Sequence, residues 1–210
     1  MKQDYTSEQK NFINYISKKV RNLFLNYPEP AHGIDHIERV VNWAKEIAKK
    51  ENARNIFLCE LSAWLHDIGR TREDNPGENT RKHHELSYEM LREWFREDEN
   101  FAILNDEEKK ELLYAVRYHW NNAADDYDTA WILRDADKLD IFGKQGLDRA
   151  WKFMKDNDAL WNQHLRNMSD YFAYVHTDTA KKIIKDNNFQ TMSKEVYRDY
   201  LKSKIKPVEL

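Results

Sequence analysis

Apolar residues recur at three- and four-residue spacing over the first two thirds of the chain, the signature of amphipathic helices. Phe12, Ile13, Ile16, Val20, Leu23 and Phe24 share one face, and Thr6 with Gln9 has the form of a capping box that opens such a helix. Pro28 and Pro30 end it, since neither suits a helix interior. A second helix carries Ile34, Ile37, Val40, Val41, Ala44, Ile47 and Ala48. A third, with Phe57, Leu58, Leu61, Trp64 and Leu65, ends at His66-Asp67. Ile68-Gly69-Arg70 follows, and the glycine marks a place where the helix can stop and the backbone can turn. Residues 70–82 are polar, contain Asn75-Pro76-Gly77 and read as a loop. Leu86, Met90, Leu91, Trp94 and Phe95 form the next stripe. Asn105 with Glu108 makes a second capping box, opening a helix with Leu112, Leu113, Val116 and Trp120, and an acidic loop at 125–128 leads into a helix over 130–141.

The pattern weakens after that. Gly143 and Gly146 interrupt it, Ala150, Trp151, Phe153 and Met154 resume it, and residues 171–175 and 196–201 read as further helices. No repeat, low-complexity tract or linker divides the chain. The pattern predicts one all-α domain over residues 1–210, with the first 25 residues and the last helices packed around a central bundle.

Composition agrees. Five glycines and four prolines in 210 residues leave few turns for a many-stranded fold, while 40% hydrophobic and 13% aromatic content suffices for a packed core. A net charge of −3 without a basic stripe argues against a nucleic-acid polymer as partner. The lone Cys59 excludes an intramolecular disulfide and reads as a small core residue. The polar first ten residues lack the apolar core of a signal peptide, and no apolar run is long enough for a bilayer. The expected setting is the cytoplasm, with no membrane partner.

The polar residues at helix ends change the picture most. Six of the eight histidines (His32, His36, His66, His83, His84 and His119) fall at or near the ends of expected helices. An imidazole beside a carboxylate, as in His66-Asp67, offers two good ligands to a divalent cation. Antiparallel helices bring alternating starts and stops to one end of a bundle, so these histidines and Asp135, Asp137 and Asp140 are expected to share a pocket. His164 and His176 read as ordinary hydrogen-bonded groups, His32 as a cap or loop residue, and the tryptophans mostly as core, with Trp64 and Trp120 also placed to wall the pocket or stack on a base.

The order His36 in Asp35-His36-Ile37-Glu38-Arg39-Val40, then His66-Asp67, then Asp137 in Ala136-Asp137-Lys138-Leu139-Asp140 resembles the HD superfamily of metal-dependent phosphohydrolases, over roughly residues 31–143. The resemblance implies a helical bundle in which His36, His66, Asp67 and Asp137 hold one divalent ion (Mn, Mg, Fe, Co, Ni or Zn). It implies a second ion, where present, at His83 and His119. His83 is preferred to His84 because it lies four residues before the small Ser87. The implied reaction is hydrolysis of a phosphate ester in a small phosphorylated compound, a nucleotide being one such partner. Asp67 would orient or deprotonate the attacking water, and His83 and His119, where they hold no metal, would contact phosphate or carry protons. Arg39 and Arg70 are phosphate-contact candidates through paired guanidinium hydrogen bonds, with an Arg39–Asp35 ion pair as the plainer alternative and Lys138 as a weaker candidate. Two rival functions fit the same bundle, a di-iron oxygenase and a non-catalytic nucleotide-sensing module.

Overall fold

The structure, a computed structural model, describes residues 5–27, 32–73 and 82–204. Those residues form ten α-helices and no strand: α1 (Ser7–Phe24), α2 (Ile34–Lys50), α3 (Ile56–Leu65), α4 (His83–Glu97), α5 (Asp106–Tyr118), α6 (Asp128–Ile141), α7 (Gly143–Met154), α8 (Asp158–Ala173), α9 (Asp178–Asp186) and α10 (Phe189–Ser203). Short 3-10 turns follow α3 (Ile68–Arg72) and α4 (Glu99–Ile103). Both expected capping boxes form, Thr6 with Gln9 on α1 and Asn105 with Glu108 on α5. Pro28, Pro30 and the Asn75-Pro76-Gly77 tract lie outside the described residues.

The core is built around α3, which is buried from Phe57 through Leu65. A helix apolar on every side must be enclosed. Here α2, α6, α5 and α1 surround it, and α4 packs on the Ile68–Arg72 turn and on α5. Each large aliphatic side chain enclosed this way, Leu61 or Leu65 for example, stabilises the fold by roughly 1.5–3 kcal/mol. Cys59 is a buried free thiol within this core. Where Glu60 and Glu111 enter the interior, each has partners: Glu60 accepts from Tyr5 at 2.7 Å and pairs with Lys45, and Glu111 accepts from Thr129 and from Arg54.

The last third differs from its expected pattern. Gly143 and Gly146 sit in the first turn of α7 rather than between helices. Ala180, Ile183 and Ile184 form a helix, α9, that periodicity did not single out, and it packs on α6 and α2. Trp151 and Phe153 are exposed rather than core, and Trp120 lies past the end of α5, 57% exposed. Trp64 is core, as expected.

Candidate metal centre

Helix ends deliver the polar cluster. His36 lies in the first turn of α2, and His66 and Asp67 directly follow α3. His83 opens α4, and His119 caps the C-terminus of α5. Asp137 comes from the later turns of α6. Gly69 makes the convergence possible by allowing close approach. A Cβ there would lie 2.2 Å from the Ser87 nitrogen and 2.3 Å from the His83 carbonyl oxygen, so only glycine lets the segment after Asp67 lie against the α4 backbone. The Gly69 N–H donates to Ser87 Oγ at 2.8 Å, and the contact brings His83 to Asp67.

The distances define two groups that share Asp67. In the first, His36 Nε2 and His66 Nε2 are 3.3 Å apart and lie 3.8 and 3.7 Å from Asp67 Oδ2. Asp137 Oδ1 is 3.4 Å from His36 Nε2. In the second, Asp67 Oδ1 is 3.4 Å from His83 Nε2 and 3.9 Å from His119 Nε2.

The far sides of the rings fix their protons. Nδ1 of His66 faces the Ala63 carbonyl and Nδ1 of His119 faces the Val116 carbonyl, each at 2.8 Å. His36 Nδ1 faces Asp140 Oδ2 at 2.7 Å. A ring that donates from Nδ1 turns a lone pair outward at Nε2, the form that binds metal. The Nε2 atoms of His36 and His66 then face one another at 3.3 Å, a pair of lone pairs that a cation can take up. Asp67 Oδ1, buried and without a hydrogen-bond partner, makes the same demand from the other side. The donor set therefore fits a divalent ion.

Electrostatics keep these groups in their ligand forms. Burial pushes the His36 imidazole below its ordinary value, His119 down to about 4 and His83 down to about 2, so all three are neutral near pH 7. Burial alone would raise Asp67. Arg70, whose Nε donates to Asp67 Oδ2 at 2.7 Å, outweighs it together with the imidazoles and holds the carboxyl well below the usual range. Asp140 follows the same logic: burial raises it, but hydrogen bonds from His36 and Arg39 and the charge of Arg149 hold it low.

Other candidates from the sequence are spent elsewhere. Arg39 donates to both carboxylate oxygens of Asp140, not to Asp35, and Arg70 lies between Asp67 and Glu73. Lys138 donates to the Asn122 side chain and the Tyr174 carbonyl. Asp135 accepts from the backbone N–H groups of His176 and Thr177 at the start of α9. Of the doublet, His83 faces Asp67 while His84 packs against Trp120 at 5.2 Å between ring centroids. His32 lies beside His36 and Phe153, and His164 and His176 pack flat on Trp161 and Trp131. The reading of the sequence gave Asp140 no role and missed Arg149 altogether. Arg149 donates from Nη1 to Asp140 Oδ2 and from Nη2 to the Asp140 carbonyl at 3.0 Å.

Comparison with known proteins agrees with this geometry. The HD domain family model matches residues 33–141. A predicted HD superfamily hydrolase from an uncultured Thermotogales bacterium shares the fold with a TM-score of 0.64 and 26% identity over 90% of this chain and 91% of that one. An HD-superfamily hydrolase from Bacillus thuringiensis superposes with a TM-score of 0.67 at 19% identity, over 93% of this chain and all of that one. Bacillus subtilis YpgQ in complex with ADP does so with a TM-score of 0.66 at 19% identity, over 97% of this chain and all of that one. No curated protein matches the chain. With more than half its length matched by the family model and the whole bundle shared with these structures, the chain belongs to the HD domain family of metal-dependent hydrolases.

Proposed function

We propose that the chain hydrolyses a phosphate ester of a small phosphorylated compound, and that a nucleotide is its substrate. One observation carries the reading: a single buried carboxylate, Asp67, stands between two pairs of imidazoles, with one of its oxygens unpartnered. His36, His66, Asp67 and Asp137 would hold one divalent ion, and Asp67, His83 and His119 a second. A bound divalent ion polarises a phosphoryl oxygen and makes a water acidic enough to attack phosphorus near neutral pH. Asp67, kept ionised by Arg70, orients that water through whichever oxygen it presents. Where no second ion is held there, His119, buried and neutral, is a proton acceptor already desolvated for the task, and His83, 21% exposed at its side chain, donates a hydrogen bond to a phosphate oxygen. Arg70 remains the better phosphate contact of the two arginines, because it touches Asp67 while Arg39 is committed to Asp140.

The nucleotide reading rests on Trp120. An indole 57% exposed and packed on His84, next in sequence to His119, is an aromatic surface at the edge of the cluster on which a base can stack. The structural relative YpgQ, in complex with ADP, points to the same class. A phosphate-release screen of nucleoside mono-, di- and triphosphates against base-free phosphate esters, in Mn²⁺, tests this. Trp120→Ala should raise KM about three- to tenfold for the nucleotide and leave a base-free ester unchanged. Equal changes for both would remove the base from the account. The sharing of Asp67 also favours a second reading, a di-iron oxygenase, which predicts two irons per chain and oxygen consumption without phosphate release.

A further inference from the structure

We infer that Arg149 is a positioning residue for the metal centre: it locks Asp140 in the rotamer that fixes His36 as an Nε2 ligand. The inference rests on the metal-centre reading and extends the working parts of the site past residues 33–141, the span of the family match.

The geometry begins with the turn between α6 and α7. A Cβ at Gly146 would lie 2.1 Å from the Ile141 carbonyl oxygen, so glycine is required for α7 to fold back against the end of α6. That return carries Arg149, on the second turn of α7, to Asp140. There the guanidinium grips one residue twice, at carboxylate Oδ2 and at its own main-chain carbonyl. A donor pair that spans the side chain and backbone of the same residue fixes the torsions between them, which no contact to the carboxylate alone can do. Arg39 makes the complementary grip on Oδ1 and Oδ2 from α2. The carboxylate plane is thereby set from two helices, with Oδ2 aimed at His36 Nδ1 at 2.7 Å.

Arg149 Nη1 also lies 3.2 Å from His36 Nδ1. With Nδ1 protonated toward Asp140, neither nitrogen has a lone pair to offer the other, so this contact is not a hydrogen bond between them. Both nitrogens are donors converging on Asp140 Oδ2. The Asp140 carboxylate holds the proton on Nδ1, and Arg149 with Arg39 holds that carboxylate in place. His36 then has one orientation, with Nε2 toward His66 and Asp67. Loss of such a partner behind a ligating histidine typically weakens metal binding about 10- to 100-fold.

A plainer role is available: the Asp140 carbonyl belongs to the last turn of α6, and Arg149 Nη2 satisfies it as a helix-end contact. A third is direct phosphate binding, since the Arg149 side chain is 17% exposed. The three roles separate by measurement. Mn²⁺ affinity would be measured by calorimetry, and the visible spectrum of the Co²⁺ form recorded, for the wild type, Arg149→Met and Arg149→Lys, each with a metal-free melting curve. Positioning predicts that Arg149→Met binds Mn²⁺ at least tenfold more weakly with an altered Co²⁺ spectrum. Lysine, a point donor unable to span both oxygens, should recover only part of the loss. In the double variant with Asp140→Asn, the second substitution should add little to the first. If Arg149→Met fails to fold, Arg149→Lys alone must show the weakened affinity. Wild-type affinity and spectrum in Arg149→Met, with only a lowered melting temperature or only a raised KM, would overturn the proposal while leaving the metal centre standing. A wild type that takes up neither Mn²⁺ nor Co²⁺ would overturn both.

Discussion

The two halves of the cluster are built differently. On the His36 side the far nitrogens of both imidazoles are committed: His36 to Asp140, itself held by Arg39 and Arg149, and His66 to Ala63. On the His83 side the partners are fewer. His83 Nδ1 is 3.9 Å from Glu73, beyond hydrogen-bond reach, its side chain is partly open to solvent, and Asp67 Oδ1 has no partner. The first half is preorganised before any ion arrives, whereas the second gains its order from the ion. Preorganisation lowers the cost of binding, so the first position should fill at lower metal concentration than the second.

Single-residue variants sharpen that contrast. His36→Ala should lose the tighter ion and with it nearly all phosphate release. His83→Ala should keep one tightly held Mn²⁺ per chain and lose about 10- to 100-fold in turnover. Metal counts at limiting Mn²⁺ decide, and loss of all metal in His83→Ala would break the asymmetry. The pH dependence of the metal-free protein comes next. His119 falls from 6.5 in the unfolded chain to about 4 in the fold, so the unfolded state binds the extra proton first as pH drops. Stability should therefore be unaffected by His119 above pH 7 and decline between about pH 6.5 and 4, by on the order of 3 kcal/mol. Urea unfolding at pH 7, 5.5 and 4.5 reads this, and His119→Asn should make that part of the curve less steep, with His36 and His83, also depressed by burial, supplying the decline that remains. The smallest effect expected is that of Gly69→Ala. Its methyl group meets the α4 backbone, costing about 1–3 kcal/mol of stability and weakening the His83 side more than the His36 side.

Much of this was legible in the sequence, for reasons that differ by region. Helices α1 to α6 could be read because α3 is a continuous apolar run, the others carry an apolar stripe, and several have capping residues, as at Thr6 and Asn105. That His36, His66, Asp67, His83 and His119 would share a pocket was readable because all sit at helix ends, where periodicity locates them well; which of them would hold metal came from the resemblance to the HD superfamily. Asp140 was visible but ambiguous, since nothing in Ala136-Asp137-Lys138-Leu139-Asp140 says which carboxylate turns to a metal and which to a histidine's far nitrogen. Arg149 was hidden because its partnership depends on a helical reversal. Gly143 and Gly146 were the available signal, and they read as an interruption rather than as the condition for α7 to lie against α6. Gly69 was legible as the place where the helix stops and the chain turns, but what requires a glycine, its φ being unexceptional, is the close approach of α4. Trp120 was misjudged because helical spacing continued past the point where α5 ends.

The claim that both halves depend on one carboxylate is tested most directly by Asp67→Ala. Metal content and Mn²⁺-dependent phosphate release from a nucleotide would be measured on the same samples of variant and wild type. The account predicts at least one ion per chain and phosphate release in the wild type, with both lost in the variant. A variant that keeps its metal and its turnover, or a wild type that carries two irons and releases no phosphate, would contradict it.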